Sequence, residues 1–170
     1  MMMRRLVLRL AAAVMMAAPL LAAAPLPAAA QTQKVGDWTL VCAEGGDCAL
    51  RQRKISSSNN ILIADIALKL VRVNQQLRAL LEVETLQNVA LYVPASYIVD
   101  GRSPAVGLSW RVCVDGRCRA AALLSAEQQN ALMVGNVMQL GYRIFEANEN
   151  LTFPVSLAGV TAGLRALAAR

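Results

Sequence analysis

Short apolar segments separated by turn residues run through most of the chain after residue 30. Segments 38–41 and 49–54 bracket a Gly-rich turn, and the longest segment, 61–73, has apolar residues on both parities. A strand that is apolar on both faces is typical of the centre of a sheet, although periodicity alone leaves a helix open here. Further strands are predicted at 77–84, 89–93, 97–100, 109–114, 117–124, 137–145 and 151–155. This pattern predicts an all-β fold, mainly an antiparallel sandwich or barrel.

Two segments follow a helical pattern instead. Ser125 and Gln128 have the spacing of a capping box, which predicts a short helix near 125–133 that stops before Gly135. A second helix is predicted near 156–167, with Ser156 as its N-cap. Its apolar residues at helical spacing are Leu157, Val160, Leu164 and Leu167. We interpret this stripe as a core-packing face, with docking of a partner as the alternative.

Residues 1–30 have the three parts of a secretory signal peptide. A basic start, with Arg4, Arg5 and Arg9, is followed by an apolar run over 10–24. The segment ends in small residues at 28–30. An uncleaved membrane anchor is the alternative, but the run is shorter than the ~20 residues that span a bilayer and is interrupted by proline. We therefore expect residues 31–170 to form a single β-rich domain with no integral membrane segment after cleavage.

Removal of this segment reduces the positive charge. The three arginines belong to the 17 basic residues, so the chain from Gln31 has 14 basic and 11 acidic side chains, a net charge of +3 rather than +6. A nucleic-acid partner needs a clustered basic face and is not expected. Arg51, Arg53 and Lys54 form a small basic group, which we interpret as the solvated face of a strand.

The four cysteines of an exported chain predict disulfide bonds rather than free thiols. Asp-Gly at 115–116 favours a two-residue hairpin turn, which places Cys113 and Cys118 opposite each other at ~4.5 Å between Cα atoms. Cys42 then pairs with Cys48 across the Gly-rich turn. The spacing leaves the other two pairings open. Neither spacing is the Cys-x-x-Cys of oxidoreductases, so we interpret the bonds as structural.

The sequence offers little support for catalysis. It contains no histidine, which excludes Ser-His-Asp and Cys-His machinery and every metal site that needs histidine. Glu82 and Glu84 would share one strand face about 7 Å apart, a spacing that a glycosidase could use, but a solvated face is the preferred interpretation. We assign no catalytic, cofactor-binding or metal-binding residue, and we expect no cofactor.

An ordered set of landmarks covers nearly all of the chain after residue 35. They are Gly36-Asp37-Trp38 with Cys42, Cys48-Ala49-Leu50-Arg51-Gln52, residues 89–101 with Pro94 and Asp100-Gly101, Trp110-Arg111-Val112-Cys113, Cys118-Arg119-Ala120, Met133-Val134-Gly135, and 154–161. In this order they resemble the invasion-associated locus B family of exported bacterial proteins. Trp110 stands where that family usually has Phe, and Val160 stands where an aromatic residue is common.

The resemblance implies a periplasmic, secreted or outer-surface-associated β-rich protein. In pathogenic relatives the family is tied to entry into host cells. We therefore expect a non-enzymatic protein that acts through protein–protein or envelope contacts with an envelope or host protein. A periplasmic small-molecule-binding β protein is the alternative. A large apolar cavity would favour the small-molecule binder, and an exposed apolar patch would favour a protein partner.

Overall fold

The computed structural model describes residues 31–44, 46–86 and 88–170. The predicted signal peptide, 1–30, lies outside the described residues. Within them the chain forms ten strands and two helices in the order Gln31–Val35 (β1), Trp38–Cys42 (β2), Cys48–Ile55 (β3), Leu62–Val73 (β4), Gln76–Leu86 (β5), Ala95–Val99 (β6), Val106–Val114 (β7), Arg117–Leu123 (β8), Ala126–Val134 (α1), Val137–Arg143 (β9), Asn150–Ser156 (β10) and Val160–Ala168 (α2).

The ten strands form one sheet in the order β1-β2-β3-β4-β5-β8-β7-β6-β9-β10, and every paired neighbour is antiparallel. Strand β9 packs against β4, which is distant from it in the order of the sheet. The Tyr142 hydroxyl on β9 donates to the Ile63 carbonyl on β4 at 3.0 Å, and buried apolar residues from β2 to β10 and both helices share one core. The prediction of an all-β antiparallel fold is confirmed.

The predicted strand at 61–73 is the central strand β4, so the helical alternative for that segment is wrong. The predicted strand at 89–93 is also wrong. Only an isolated bridge between Val89 and Ile144 forms there, and the Val93 amide donates to the Ala90 carbonyl in a turn. Pro94 follows directly and has no amide hydrogen for a ladder, which explains why no strand continues through this segment.

Helix α1 matches its prediction. The Gln128 amide donates to Ser125 Oγ at 3.1 Å, and the Ser125 amide donates to Gln128 Oε1 at 2.8 Å, which completes the capping box. These two bonds satisfy amides that would otherwise lack an intrahelical partner at the start of the helix.

The start predicted for the second helix is wrong, because Ser156 is the last residue of β10 and pairs with Val137. The helix begins at Val160, with Gly159 as its N-cap at a φ of 101°. The core-packing face is confirmed, since Leu157, Val160, Leu164 and Leu167 are all buried. A Cβ at Gly163 would lie 2.5 Å from Leu50 Cδ2, so a larger residue there would require the buried Leu50 side chain of β3 to move.

Candidate functional site

Both cysteine pairs join neighbouring strands. Cys42 is bonded to Cys48 between β2 and β3, and Cys113 is bonded to Cys118 between β7 and β8, each with 4.0 Å between Cα atoms. In the second hairpin Val114 lies opposite Arg117, as the Asp-Gly turn predicts. Each bond links residues that are already paired in the sheet, so the two bonds hold the ends of hairpins. No thiol is free among the described residues.

The turn between β1 and β2 meets the turn between β10 and α2. We call this the end-to-end contact; it consists of Gly36, Asp37, Ala158 and Gly159. The Asp37 amide donates to the Ala158 carbonyl at 2.9 Å. A Cβ at Gly36 would lie 2.6 Å from the carbonyl carbon of Ala158, and Gly36 has a φ of 59°. Glycine is therefore required at Gly36 both for its conformation and for the close approach of the two backbones.

Two side chains add to this contact from the core side. The indole nitrogen of Trp38, a fully buried residue, donates to the Ser156 carbonyl at 2.8 Å. The Gln52 amide donates to the same carbonyl at 3.3 Å and to the Asp37 carbonyl at 3.1 Å. Hydrogen bonds from the Gly36-Asp37-Trp38 segment to the carbonyl groups of Ser156 and Ala158 thus join the β1–β2 turn to the end of β10.

A second contact joins the β6–β7 turn to the end of α1. The Asp100 carboxylate accepts hydrogen bonds from the amides of Asn136 and Val137 at 2.9–3.1 Å. The bond from the Val137 amide, with the bond from Asn136, lowers the pKa of Asp100 below its ordinary value because both favour the ionised form. Asp100 therefore positions the start of β9.

Charged residues cover the outer face of the sheet. Arg53, Asp65, Glu84 and Arg119 lie in one cross-strand row over β3, β4, β5 and β8. Asp65 is 3% exposed and accepts hydrogen bonds from Arg51 at 2.9 and 3.2 Å and from Arg53 at 3.0 Å. The predicted basic group therefore does not form one solvated face. Arg51 and Arg53 bind a buried carboxylate. Lys54 lies on the opposite side of β3, the side of Leu50 and Gln52.

Sequence reasoning missed Asp65. The available signal was a single acidic residue in the apolar part of a strand, 62–68, next to a strand with two arginines two positions apart. A buried carboxylate needs paired positive charge, and arginine supplies both charge and directed donors.

One end of the molecule exposes large apolar side chains around the second disulfide. Leu91 is 56% exposed and Phe145 is 61% exposed. Both line a groove of about 410 Å³, which we call the apolar groove. Its other lining residues are Asn88, Val89, Cys113, Cys118 and Glu146. Tyr92, next to Leu91, is 72% exposed. Such a group of exposed aromatic and aliphatic side chains is typical of an interaction surface.

A family model described as "Invasion associated locus B (IalB) protein" matches residues 38–168. The chain belongs to this family. It is similar in fold to the crystal structure of invasion associated protein B from Bartonella henselae, with a TM-score of 0.70 and 18% sequence identity over 82% of this chain and 96% of that chain. No match is found among curated proteins.

The residues that carry the likeness to the IalB family make contacts that hold the fold. Gly36-Asp37-Trp38 and 154–161 meet in the end-to-end contact, and Asp100 bonds the residues that follow Gly135. Trp110 donates its indole hydrogen to the Val93 carbonyl at 2.8 Å. The family resemblance predicted from the sequence is therefore confirmed, and these contacts give it a structural reason.

The two suspected carboxylates of this IalB family member are held by cations. Lys69 lies 2.6 Å from Glu82, and Arg117 and Arg119 each lie 3.0 Å from Glu84. The hydrogen bond from Arg119, with further help from Arg117, lowers the pKa of Glu84 despite partial burial. A general acid of a glycosidase needs a raised pKa, so the environment of Glu84 opposes that role.

Among the described residues no group of acidic or cysteine side chains is arranged to hold a metal ion. In the same part of the chain, no helix combines the length and apolar character needed to cross a membrane. The IalB family is not known as an enzyme family.

Proposed function

We propose that this chain is an exported, non-enzymatic protein of the bacterial envelope, periplasmic or surface-associated, that acts by binding an envelope or host protein. Residues 1–30 direct export and are removed. Membership in the IalB family, two disulfides in a small β domain and a signal-like beginning support this proposal. Removal is tested by N-terminal sequencing of protein from envelope fractions, where a start at Met1 would contradict it.

The apolar groove is the observation that carries the binding function. Its exposed Leu91 and Phe145 flank a disulfide and provide apolar anchors on a wall that the disulfide holds in place, beside the polar Asn88 and Glu146. Aromatic side chains are enriched in protein interfaces, where a few anchor residues supply most of the binding energy. The groove fits an apolar segment of a protein partner better than it fits a substrate that must be enclosed away from water.

The test is capture of partners from envelope extract by the purified mature protein and two variants. Phe145→Ser removes an aromatic side chain from the apolar groove. Val134→Ser is the matched control, because Val134 is 72% exposed at the end of α1 and does not line the groove. We expect the captured protein to be lost with Phe145→Ser and retained with Val134→Ser. Equal capture by all three proteins would contradict the assignment of the groove.

A second candidate function, binding of a small molecule, is favoured by one cavity. It lies between α1 and the β6–β7 turn and measures about 150 Å³, with Tyr97, Pro104, Val106, Gln128 and Ala131 among its lining residues. The hydroxyl of Tyr97 is buried without a hydrogen-bond partner. Pockets for drug-sized ligands measure roughly 300–1,000 Å³, so this cavity suits only a ligand of a few non-hydrogen atoms.

A further inference from the structure

The outer face of β1, β2 and β3 contains a second groove, which we call the basic groove. It measures about 440 Å³, and its lining residues are Lys34, Asp37, Thr39, Val41, Arg51, Gln52 and Arg53. Strand pairing places Thr39 directly between Lys34 and Arg51, and Arg53 lies two residues further along β3 on the same face. Two guanidinium groups on one side therefore face an ammonium group on the other, across a floor of short side chains.

The two arginines are held in place from the neighbouring strand, β4. Asp65, itself almost fully buried, engages Arg51 through Nε and Nη2 and Arg53 through Nε. Among the described residues, Arg51 Nη1 and both terminal nitrogens of Arg53 have no hydrogen-bond partner, and Lys34 forms no ion pair. The guanidinium groups are thus oriented by one carboxylate while several donors stay available, which reduces the entropy lost when a ligand is bound.

The charge of the basic groove favours an anion. Lys34, Arg51 and Arg53 contribute three positive charges, and Asp37 in the lining and Asp65 beside the arginines on β4 contribute two negative ones. The Asp65 carboxylate is paired with both guanidinium groups and is not among the residues that line the groove. The Asp37 carboxylate repels an anion bound near it, so we expect a bound anion to lie next to Arg51 and Arg53.

We propose that the basic groove binds a phosphate group. The two terminal nitrogens of Arg53 form a pair of donors that matches phosphate oxygens, and Arg51 adds its Nη1. Lys34 adds a point charge, and the Thr39 hydroxyl lies on the floor within the same row. This inference rests on the proposed function, because it names one surface and one chemistry through which an exported protein contacts the envelope. Phosphate reaches such a protein either on lipid headgroups or on soluble molecules.

Two probes distinguish these sources. The first is co-sedimentation of the mature protein with vesicles of phosphatidylcholine alone or of phosphatidylcholine and phosphatidylglycerol in a three-to-one mixture. The second is calorimetric titration with inorganic pyrophosphate. Binding to the mixed vesicles only assigns a membrane surface, and binding to pyrophosphate as well assigns phosphate in general. Failure to bind either probe at low salt overturns the inference.

Variants test the residues. The double variant Lys34→Gln/Arg53→Gln removes two exposed cations and leaves both bonds from Arg51 to Asp65. Its matched control is Lys54→Gln, which removes a charge next to Arg53 on the opposite side of β3. We expect binding about a hundredfold weaker for the double variant, since each of the two charged groups removed contributes roughly tenfold. The control should stay within about twofold of the parent.

If Lys54→Gln weakened binding by half as much as the double variant on a logarithmic scale, one charge against two, only net charge would matter and the assignment of the groove would be overturned. Thermal unfolding curves check that the double variant remains folded; if it unfolds, Lys34→Gln alone carries the same comparison. Capture of an envelope protein through the apolar groove should be unchanged in these variants. Retained capture without phosphate binding therefore contradicts this inference only, and phosphate binding without any captured protein contradicts the proposed function only.

Discussion

Replacing Gly36 by alanine should break the end-to-end contact between the β1–β2 turn and the β10–α2 turn. The new Cβ would collide with the Ala158 carbonyl group, whose carbon lies 2.6 Å away. The backbone at Gly36 also has a φ of 59°, where alanine is unfavourable. Gly101 and Gly116 offer matched controls, because their φ values are 65° and 72° and nothing lies within 4 Å of an added Cβ.

The magnitude follows from these two contributions. The positive φ costs alanine roughly 1–2 kcal/mol at all three positions. Only at Gly36 must the turns also separate. Separation weakens the hydrogen bonds from the Asp37 amide to Ala158 and from the Trp38 indole to Ser156, each contributing ~1 kcal/mol. We therefore expect Gly36→Ala to lower the free energy of unfolding by about 2–4 kcal/mol, against about 1–2 kcal/mol for the controls.

Urea unfolding followed by tryptophan fluorescence measures this difference, with the disulfides intact in every sample. Trp38 lies in the contact, whereas Trp110 lies on β7 and donates to the Val93 carbonyl, so a Trp110→Phe background isolates the Trp38 signal and keeps the bond to Ser156. The denaturant slope must stay constant for the comparison to be valid. A Gly36→Ala variant that loses no more stability than Gly101→Ala would refute the reasoning, because the close approach would then contribute nothing.

Other predictions concern single side chains and the two disulfides. Tyr97→Phe should raise stability by about 1 kcal/mol, because it removes a buried hydroxyl without a partner; a loss would indicate that the cavity holds a bound group. Leu164→Ala should cost about 2–5 kcal/mol in thermal or urea unfolding, whereas a loss below about half a kcal/mol would mean that α2 is exposed. The pKa of Glu84 is lower in the folded protein than in the unfolded chain, so the ionised carboxylate stabilises the fold at pH values above the unfolded-state pKa. This stabilisation is lost as the pH falls through the folded-state pKa. Glu84→Gln should therefore flatten the acid limb of a stability–pH curve, and an unchanged limb would contradict this assignment. Peptide mapping without reductant should recover Cys42 with Cys48 and Cys113 with Cys118, and a peptide joining the two hairpins would refute the pairing.

Local patterns were sufficient for elements whose stability depends on near neighbours in the chain. The capping box at Ser125 and Gln128 involves atoms three residues apart, and the Asp-Gly hairpin depends on the conformation of its own turn. The buried stripe of α2 also follows from helical spacing, which is a property of the segment itself. These features could be predicted because no distant residue competes for the same backbone groups.

Tertiary structure decided the features in which distant groups compete. Ser156 is a good N-cap in isolation, but pairing with Val137 and the bond from Trp38 keep it in β10, so the helix begins later. Asp65 lies in the buried part of β4 and is tolerated because Arg51 and Arg53 approach from β3. The sequence determined most of the strands and the Asp-Gly hairpin, although β1 was not predicted and the strand predicted at 89–93 does not form. The order of the strands, the end-to-end contact and both grooves arise only when hydrogen-bond partners far apart in the chain meet.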